Sequence, residues 1–345
     1  MINRFLKNWK SGLTIALVSI PIAISLSVAS HATPTAGIIT AIWAGFIAAF
    51  FGGSHYNIIG PTCALSGILA TYAMTHGSDK LSMIAILAGF FILIAYAFKF
   101  EKYLLLIPGS AIQGFTLGVA AIIILGQLNF ALGIYGLTKH KQLISNVKLT
   151  LLNLDKTSLE TFAIFLIFLF LLFLSTKLFP RIPAIILFSP IGITCGYATT
   201  NGILPFSLAT LNSKFGSIEP ALWLMPNICF HHSMLFPAGA IALIAMLETL
   251  ISAKIADGIT KTKHHKKKEL LGLALANIGS GLMGGIPATA ALARTALNIK
   301  SGATHSLSAM LSSFCIVLFS TFTLSYFNYR PIIFHLGENH AYLGF

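Results

Sequence analysis

An all-α membrane protein that crosses the bilayer many times is the fold class this sequence predicts, on three observations. Hydrophobic residues make up 56% of the 345 and charged residues only 9%, with a mean hydropathy of +0.85, more than a soluble domain of this length tolerates. The apolar residues are gathered into membrane-length runs, about eleven by hydropathy. Two of those runs are too short to cross ~30 Å of hydrocarbon at ~1.5 Å per residue, and each follows a Gly/Pro break.

The formal charge of +13 does not point to nucleic acid, because Lys and Arg sit between apolar runs and form no soluble basic face. Cys63, Cys195, Cys229 and Cys315 have no CxxC or ligand-like spacing, which argues against a disulfide framework or a zinc site. Met1 to Lys10 carries Arg4, Lys7 and Lys10, and no small-residue cleavage site follows, so a retained first helix is expected.

From Leu13 to Tyr56 the only ionisable groups before the last residue are His31 and His55, enough length for two helices turning near His31 to Pro34, with Pro21 inside the first. After Gly52 and Gly53 comes Asn57 to Thr62, containing Gly60-Pro61, and then a short apolar run from Cys63 to about Thr75. Leu81 to Phe98 spans and ends at Lys99 and Lys102; Tyr103 to about Gly133 holds the next helix. Thr161 to Leu178 and Ile182 to about Pro205 are two more, separated by Lys177, Pro180 and Arg181. Pro237 to Ala253 carries Glu248, and the basic run Lys261 to Lys268 marks a cytoplasmic loop. Leu270 to Met283 leads into the second short run, Ile286 to Ile299, and Leu307 to Tyr326 is the last span.

A cytoplasmic N-terminus puts Lys99 and Lys102, Lys177 and Arg181, the Lys261 to Lys268 cluster and Lys300 all inside. The loop with Lys139, Lys141, Lys148 and Lys156 falls outside, and its length lowers its weight in the positive-inside rule. The short runs stand third and tenth in the count, an odd separation that makes them antiparallel. Paired interrupted segments in two halves mark a transporter whose site lies at the repeat interface.

The second short helix is expected to begin near Pro287, the first near Pro61, each with its N–H groups and positive dipole end facing a cavity that suits a small anion. Arg294 is placed about two turns further in, a permanent charge at an expensive depth. The alternative is a Gly/Pro-kinked helix whose Arg snorkels to an interface. Glu248 is the one acid deep in a long apolar run, with Asp257 at the cytoplasmic end of its helix. Ser252 follows at i+4 with Thr249 adjacent, a carboxylate and hydroxyl on one face, as a proton or Na⁺ site requires; the competing role is a counter-charge for Arg294. His231 and His232 lack a third ligand at suitable spacing, and His264 and His265 belong to the basic loop. No Walker, GxSxG, HExxH or kinase signature is present, so an enzyme is not expected.

These residues resemble the SulP sulfate permease family of anion transporters. The matching stretches are Ala245 to Asp257, Thr260 to His264, Glu269-Leu270, Ala276-Asn277, Gly284 to Thr289, Ala293 to Thr295 and Asn298 to Gly302. At the front, Ile20 to Ile24, Gly52 to Ser54, Gly60 to Thr62, Gly114 to Thr116 and Leu125 to Leu128 also fit. The resemblance implies seven plus seven inverted helices with two half-helices, divided into a core and a gate. It puts the anion between Thr62, Cys63, Ala64 and Leu65 on one half-helix and Ala290, Ala291, Ala293 and Arg294 on the other, with a coupling ion at Glu248 and Ser252. The organisation expected is a transporter domain over 1–326, its core from 11–99 and 236–326 and a partial gate from 103–205, then a polar tail over 327–345 and no STAS domain. With the second half of the gate missing, the chain is expected to be the membrane domain alone, C-terminally truncated. The function implied is secondary transport of a small inorganic anion, sulfate first, coupled to a proton or Na⁺. The alternatives are a Na⁺-coupled bicarbonate transporter and a truncated membrane protein that does not transport. The partners expected are the anion and membrane lipid, with a homodimer left open; no cofactor is expected beyond a bound Na⁺. The predicted location is the inner (plasma) membrane.

Overall fold

A computed structural model describes residues 2–100, 109–137, 140, 142–178, 183–204, 208–329 and 331. The expected helix start at Tyr103, the loop residues Lys139 and Lys141, Arg181, Pro205 and nearly all of the 327–345 tail lie outside them. The described chain is mostly helical and forms two compact units, Met1–Phe115 with Ala221–Thr321, and Thr116–Pro220 with Phe322–Phe345.

The first unit opens with α1 (Ile2–Ala29), which carries Pro21 inside it, and α2 (Pro34–Phe51). They turn at His31, and Thr33 caps α2 by accepting from the Ala36 N–H while Pro34 takes the first helical position, where no N–H is needed. Then come β1 (Ile59–Gly60), α3 (Cys63–His76) and α4 (Leu81–Ala97). The second unit holds α5 (Gly109–Ala131) for most of its length, α6 (Leu143–Leu152), α7 (Leu159–Leu178), α8 (Ala184–Thr200) and the short α9 (Leu211–Phe215). The chain returns to the first unit with α10 (Leu235–Thr260), α11 (Lys266–Leu282), β2 (Thr289–Ala290), α12 (Leu292–Lys300) and α13 (Leu307–Thr323).

Among the described residues four helices are long and apolar enough to cross a membrane alone: Arg4–Ala29, Pro34–Phe51, Ser78–Ala97 and His232–Thr260. In the first unit α11 packs against α4 and α2, and α10 against α4. The α4 and α11 backbones meet at Gly89, where a Cβ would lie 2.6 Å from Ile278 and 2.7 Å from the Ala274 carbonyl; a larger residue would force them apart. Leu65, Leu69, Ile84, Ile92, Ile241, Leu273 and Ala276 fill the core between these helices. In the second unit, Phe168 meets Phe188 edge to face at 5.5 Å, and Leu172 and Leu208 complete a small cluster.

Candidate functional site

The two Gly/Pro breaks meet. β1 and β2 pair antiparallel, Ile59 opposite Ala290 and Gly60 opposite Thr289, and the Ala291 N–H donates to the Ile58 carbonyl. This corrects the expected helix starts: α3 begins at Cys63, not Pro61, and α12 at Leu292, not Pro287. Residues on either side of each proline extend because the crossed pair claims their backbone groups before a helix can. Arg294 therefore stands in the first turn of α12 and not about two turns inside it.

Extended backbone at membrane depth survives only where its polar groups are satisfied by protein. Around the second break Thr40 Oγ1 accepts from the Ile286 N–H (2.7 Å), and Asn277 clasps Ala288, its Oδ1 accepting from the N–H and its Nδ2 donating to the carbonyl, both at 2.9 Å. Thr249 Oγ1 accepts from the Ala290 N–H (3.2 Å) and lies 3.0 Å from Thr289 Oγ1. Around the first break the partners come from far along the chain. Glu269 Oε2 accepts from the Gly53 and Ser54 N–H groups (2.8 and 2.7 Å), Thr295 Oγ1 from the Ile58 N–H (3.2 Å), and Asn298 Nδ2 donates to the Tyr56 carbonyl (2.9 Å). Arg294 Nη2 donates to the Pro61 carbonyl at 2.6 Å.

Neither half-helix has a side-chain cap: Thr62 before α3 and Ala291 before α12 make no capping hydrogen bond. The first-turn N–H groups of both helices form the positive ends that attract negative charge. Thr62, Ala64, Leu65 and Ala290 are buried, while Cys63, Ala291 and Ala293 are half-buried. Arg294 is 2% exposed, too enclosed to snorkel, and a Cβ on Gly60 would lie 2.8 Å from its Nη1. Opposite, on α10, Glu248 Oε2 accepts from Thr62 Oγ1 at 3.4 Å, so adjacent residues Pro61 and Thr62 each bond one ionisable side chain. Glu248 is half-buried.

Ser252 shares the α10 face with Glu248 but engages other residues. Its hydroxyl donates to Asn57 Oδ1 (2.9 Å) and lies 3.1 Å from Thr295 Oγ1. Asn57 Nδ2 in turn donates to Glu269 Oε1 (2.6 Å) and to the Thr249 carbonyl (3.2 Å). Asn57, Glu269, Thr295, Asn298, Asn277 and Thr40 were not singled out from the sequence as site residues. Glu269 appears there only in the Glu269-Leu270 match, directly after the basic run Lys261 to Lys268, yet it is 2% exposed. A polar residue beside each Gly/Pro break, and an acid one turn into the helix after the Lys run, are the signals that point to them.

The histidines shape loops. His264 pairs with Asp257 (Nδ1 to Oδ2, 2.7 Å), the His264 N–H donates to the same oxygen, and Thr262 donates to Oδ1, tying the end of α10 to the α10–α11 loop. His265 caps α11, and His231 accepts from the Ser233 N–H. The four cysteines are free.

The chain matches the profile described as "Sulfate permease family" over residues 5–334. It is 32% identical over 335 residues to YvdB of Bacillus subtilis, which bears a sulfate-transporter name, covering 96% of this chain and 62% of that protein. It is 26% identical over 328 residues to the bicarbonate transporter BicA of a Picosynechococcus species, covering 89% of this chain and 56% of that one. The chain thus spans about six-tenths of the length of these relatives. Its fold is similar to the transmembrane domain of a cyanobacterial BicA, with a TM-score of 0.86 at 23% identity over 99% of this chain and 88% of that one. SLC26A9 gives a TM-score of 0.87 at 13% identity, over 99% and 58%. A membrane protein of apolar helices with paired half-helices, matched over nearly its whole length, the chain belongs to the sulfate permease family.

Proposed function

We propose that this chain carries a small inorganic anion across the membrane, sulfate first and bicarbonate second, with a proton or Na⁺ as coupling ion. The observation that carries the reading is the meeting of two uncapped half-helix N-termini beside the buried Arg294. The anion lies between the residues from Thr62 to Leu65 on one side and Ala290, Ala291, Ala293 and Arg294 on the other. The Ala290 and Ala291 N–H groups are spent on Thr249 and Ile58, so the N–H groups of the first helical turns receive it. Because the guanidinium is enclosed and bonded to Pro61, its charge acts on the anion from behind the helix ends. The site discriminates weakly among small anions, since a dipole end and one charge suit several. Glu248, half-buried and held by Thr62, is the coupling carboxylate, and Ser252 supplies a second oxygen on its face. Sulfate and bicarbonate follow from the names of the relatives; the N-terminus faces the cytoplasm, as the basic loops require.

Uptake of labelled sulfate and labelled bicarbonate into proteoliposomes holding the purified chain tests this, under imposed Na⁺ and pH gradients. Saturable accumulation of either anion, lost in Glu248→Gln, is the expected result. Tight liposomes that accumulate neither anion under either gradient overturn it and leave a membrane protein that does not transport.

A further inference from the structure

We propose that Glu269, a carboxylate outside the candidate coupling site, is a positioning residue that sets the direction of a buried hydrogen-bond chain and thereby makes Ser252 an oxygen donor toward a cation. The proposal deepens the coupling reading above and rests on it.

The argument is one of proton bookkeeping. The Asn57 side chain meets two groups that can only accept, Glu269 Oε1 at 2.6 Å and the Thr249 carbonyl at 3.2 Å. These neighbours assign the amide: its NH₂ faces them, and its Oδ1 faces Ser252. An amide oxygen can only accept, so Asn57 Oδ1, 2.9 Å away, takes the one proton of the Ser252 hydroxyl ahead of the other acceptor that hydroxyl faces, Thr295 Oγ1 at 3.1 Å, which already receives the Ile58 N–H. The lone pairs of Ser252, and not its proton, are then left for a cation bound beside Glu248. Glu269 is held in this role from its other side, where Oε2 takes the Gly53 and Ser54 N–H groups. Glu269 thus ties down the approach to β1 and polarises the link to α10 at once.

Replacing the carboxylate by an amide reverses the chain. In Glu269→Gln the carbonyl oxygen stays with the two backbone N–H groups, the new NH₂ points at Asn57, and the Asn57 amide turns over to accept from it, giving up its bond to the Thr249 carbonyl, the longer of the two. Its own NH₂ then donates to Ser252 and occupies the lone pair the cation needs. Adding Asn57→Asp restores the original sense at Ser252, because Asp accepts from Gln on one side and from Ser252 on the other; the bond to the Thr249 carbonyl stays lost, as in the single variant.

The full chain is reconstituted and its labelled-sulfate and bicarbonate uptake measured against Na⁺ concentration and pH, with thermal stabilisation of the purified protein by Na⁺ as a second readout. In Glu269→Gln the half-saturating cation concentration should rise about tenfold or more, the equivalent of one lost hydrogen-bond-sized interaction. Half-saturation by the anion, at saturating cation, should stay within about twofold, and the Glu269→Gln/Asn57→Asp pair should recover most of the cation affinity. An equal loss for cation and anion, or no recovery in the pair, overturns the proposal. If Glu269→Gln does not fold, Asn57→Ala leaves Glu269 on Gly53 and Ser54 and must show the selective cation loss; unchanged cation dependence there overturns it as well. Glu248→Gln separates the two ideas. If it leaves cation dependence intact the coupling reading fails, whereas loss in Glu248→Gln with none in the Glu269 and Asn57 variants refutes the positioning role alone.

Discussion

Residues 53–61 and residues 285–290 do the same job in the first unit: each carries the chain, without a helix, into the antiparallel crossing of β1 and β2. They are clasped by different chemistry. The second break is held by neutral groups, Thr40, Asn277 and Thr249. The first is held by two ionisable side chains, Glu269 and Arg294, together with Thr295 and Asn298 from the far half of the sequence. Charged clasps bind backbone more strongly and cost more to bury, so they are used where fixed charge serves a second purpose. On the reading proposed above, that purpose is the field at the half-helix ends for Arg294, which faces Glu248 across Pro61 and Thr62, and the orientation of Asn57 for Glu269. The neutral clasp only has to satisfy backbone.

The sharpest way to break the comparison is Glu269→Ala. It orphans the Gly53 and Ser54 N–H groups and the Asn57 amide together and should cost about 4 kcal/mol, read as a lower midpoint of thermal unfolding in detergent. Arg294→Ala comes next, at about 3 kcal/mol for the orphaned Pro61 carbonyl, and uptake of either anion should fall by roughly a hundredfold. Arg294→Lys should keep the charge and recover part of the uptake, since a point charge behind the helix ends still acts through its field. On the neutral side, Asn277→Ala should cost about 2 kcal/mol and change half-saturation by the anion little, because the Ala288 groups it frees are not at a helix end. Thr40→Val is the mildest, about 1 kcal/mol in the same melt with transport unchanged. If Asn277→Ala proved costlier to transport than Arg294→Ala, the division between a charged, functional clasp and a neutral, structural one would be wrong.

Much of this arrangement is legible in the sequence because it is local. Glycine next to or shortly before a proline disfavours a helix more than a lone proline such as Pro21 does, so Gly60-Pro61 and Gly284 to Pro287 announce that the chain is broken twice, and runs of the length of Pro34–Phe51 announce membrane spans. Arg294 and Glu248 stand out because a charge amid apolar residues needs a reason. The starts of the half-helices are not legible: whether Ile59 or Thr289 coils or extends is decided by the strand it meets, more than two hundred residues away. Glu269 directly follows the basic run Lys261 to Lys268 in sequence, and only the approach of Gly53 and Ser54 makes it a buried anchor.

The sequence by itself therefore determined the membrane class, the positions of the two breaks and the two ionisable side chains nearest them, since these follow from hydropathy and backbone sterics within a few residues. Which group satisfies which was decided by tertiary structure alone. Asn57 bonds to Ser252 and Glu269, and Arg294 to Pro61, across separations of 195, 212 and 233 residues. The physical reason is that a donor or acceptor excluded from water must pair with whatever the packing of α10, α11 and α12 brings within reach, and no local pattern encodes that neighbour.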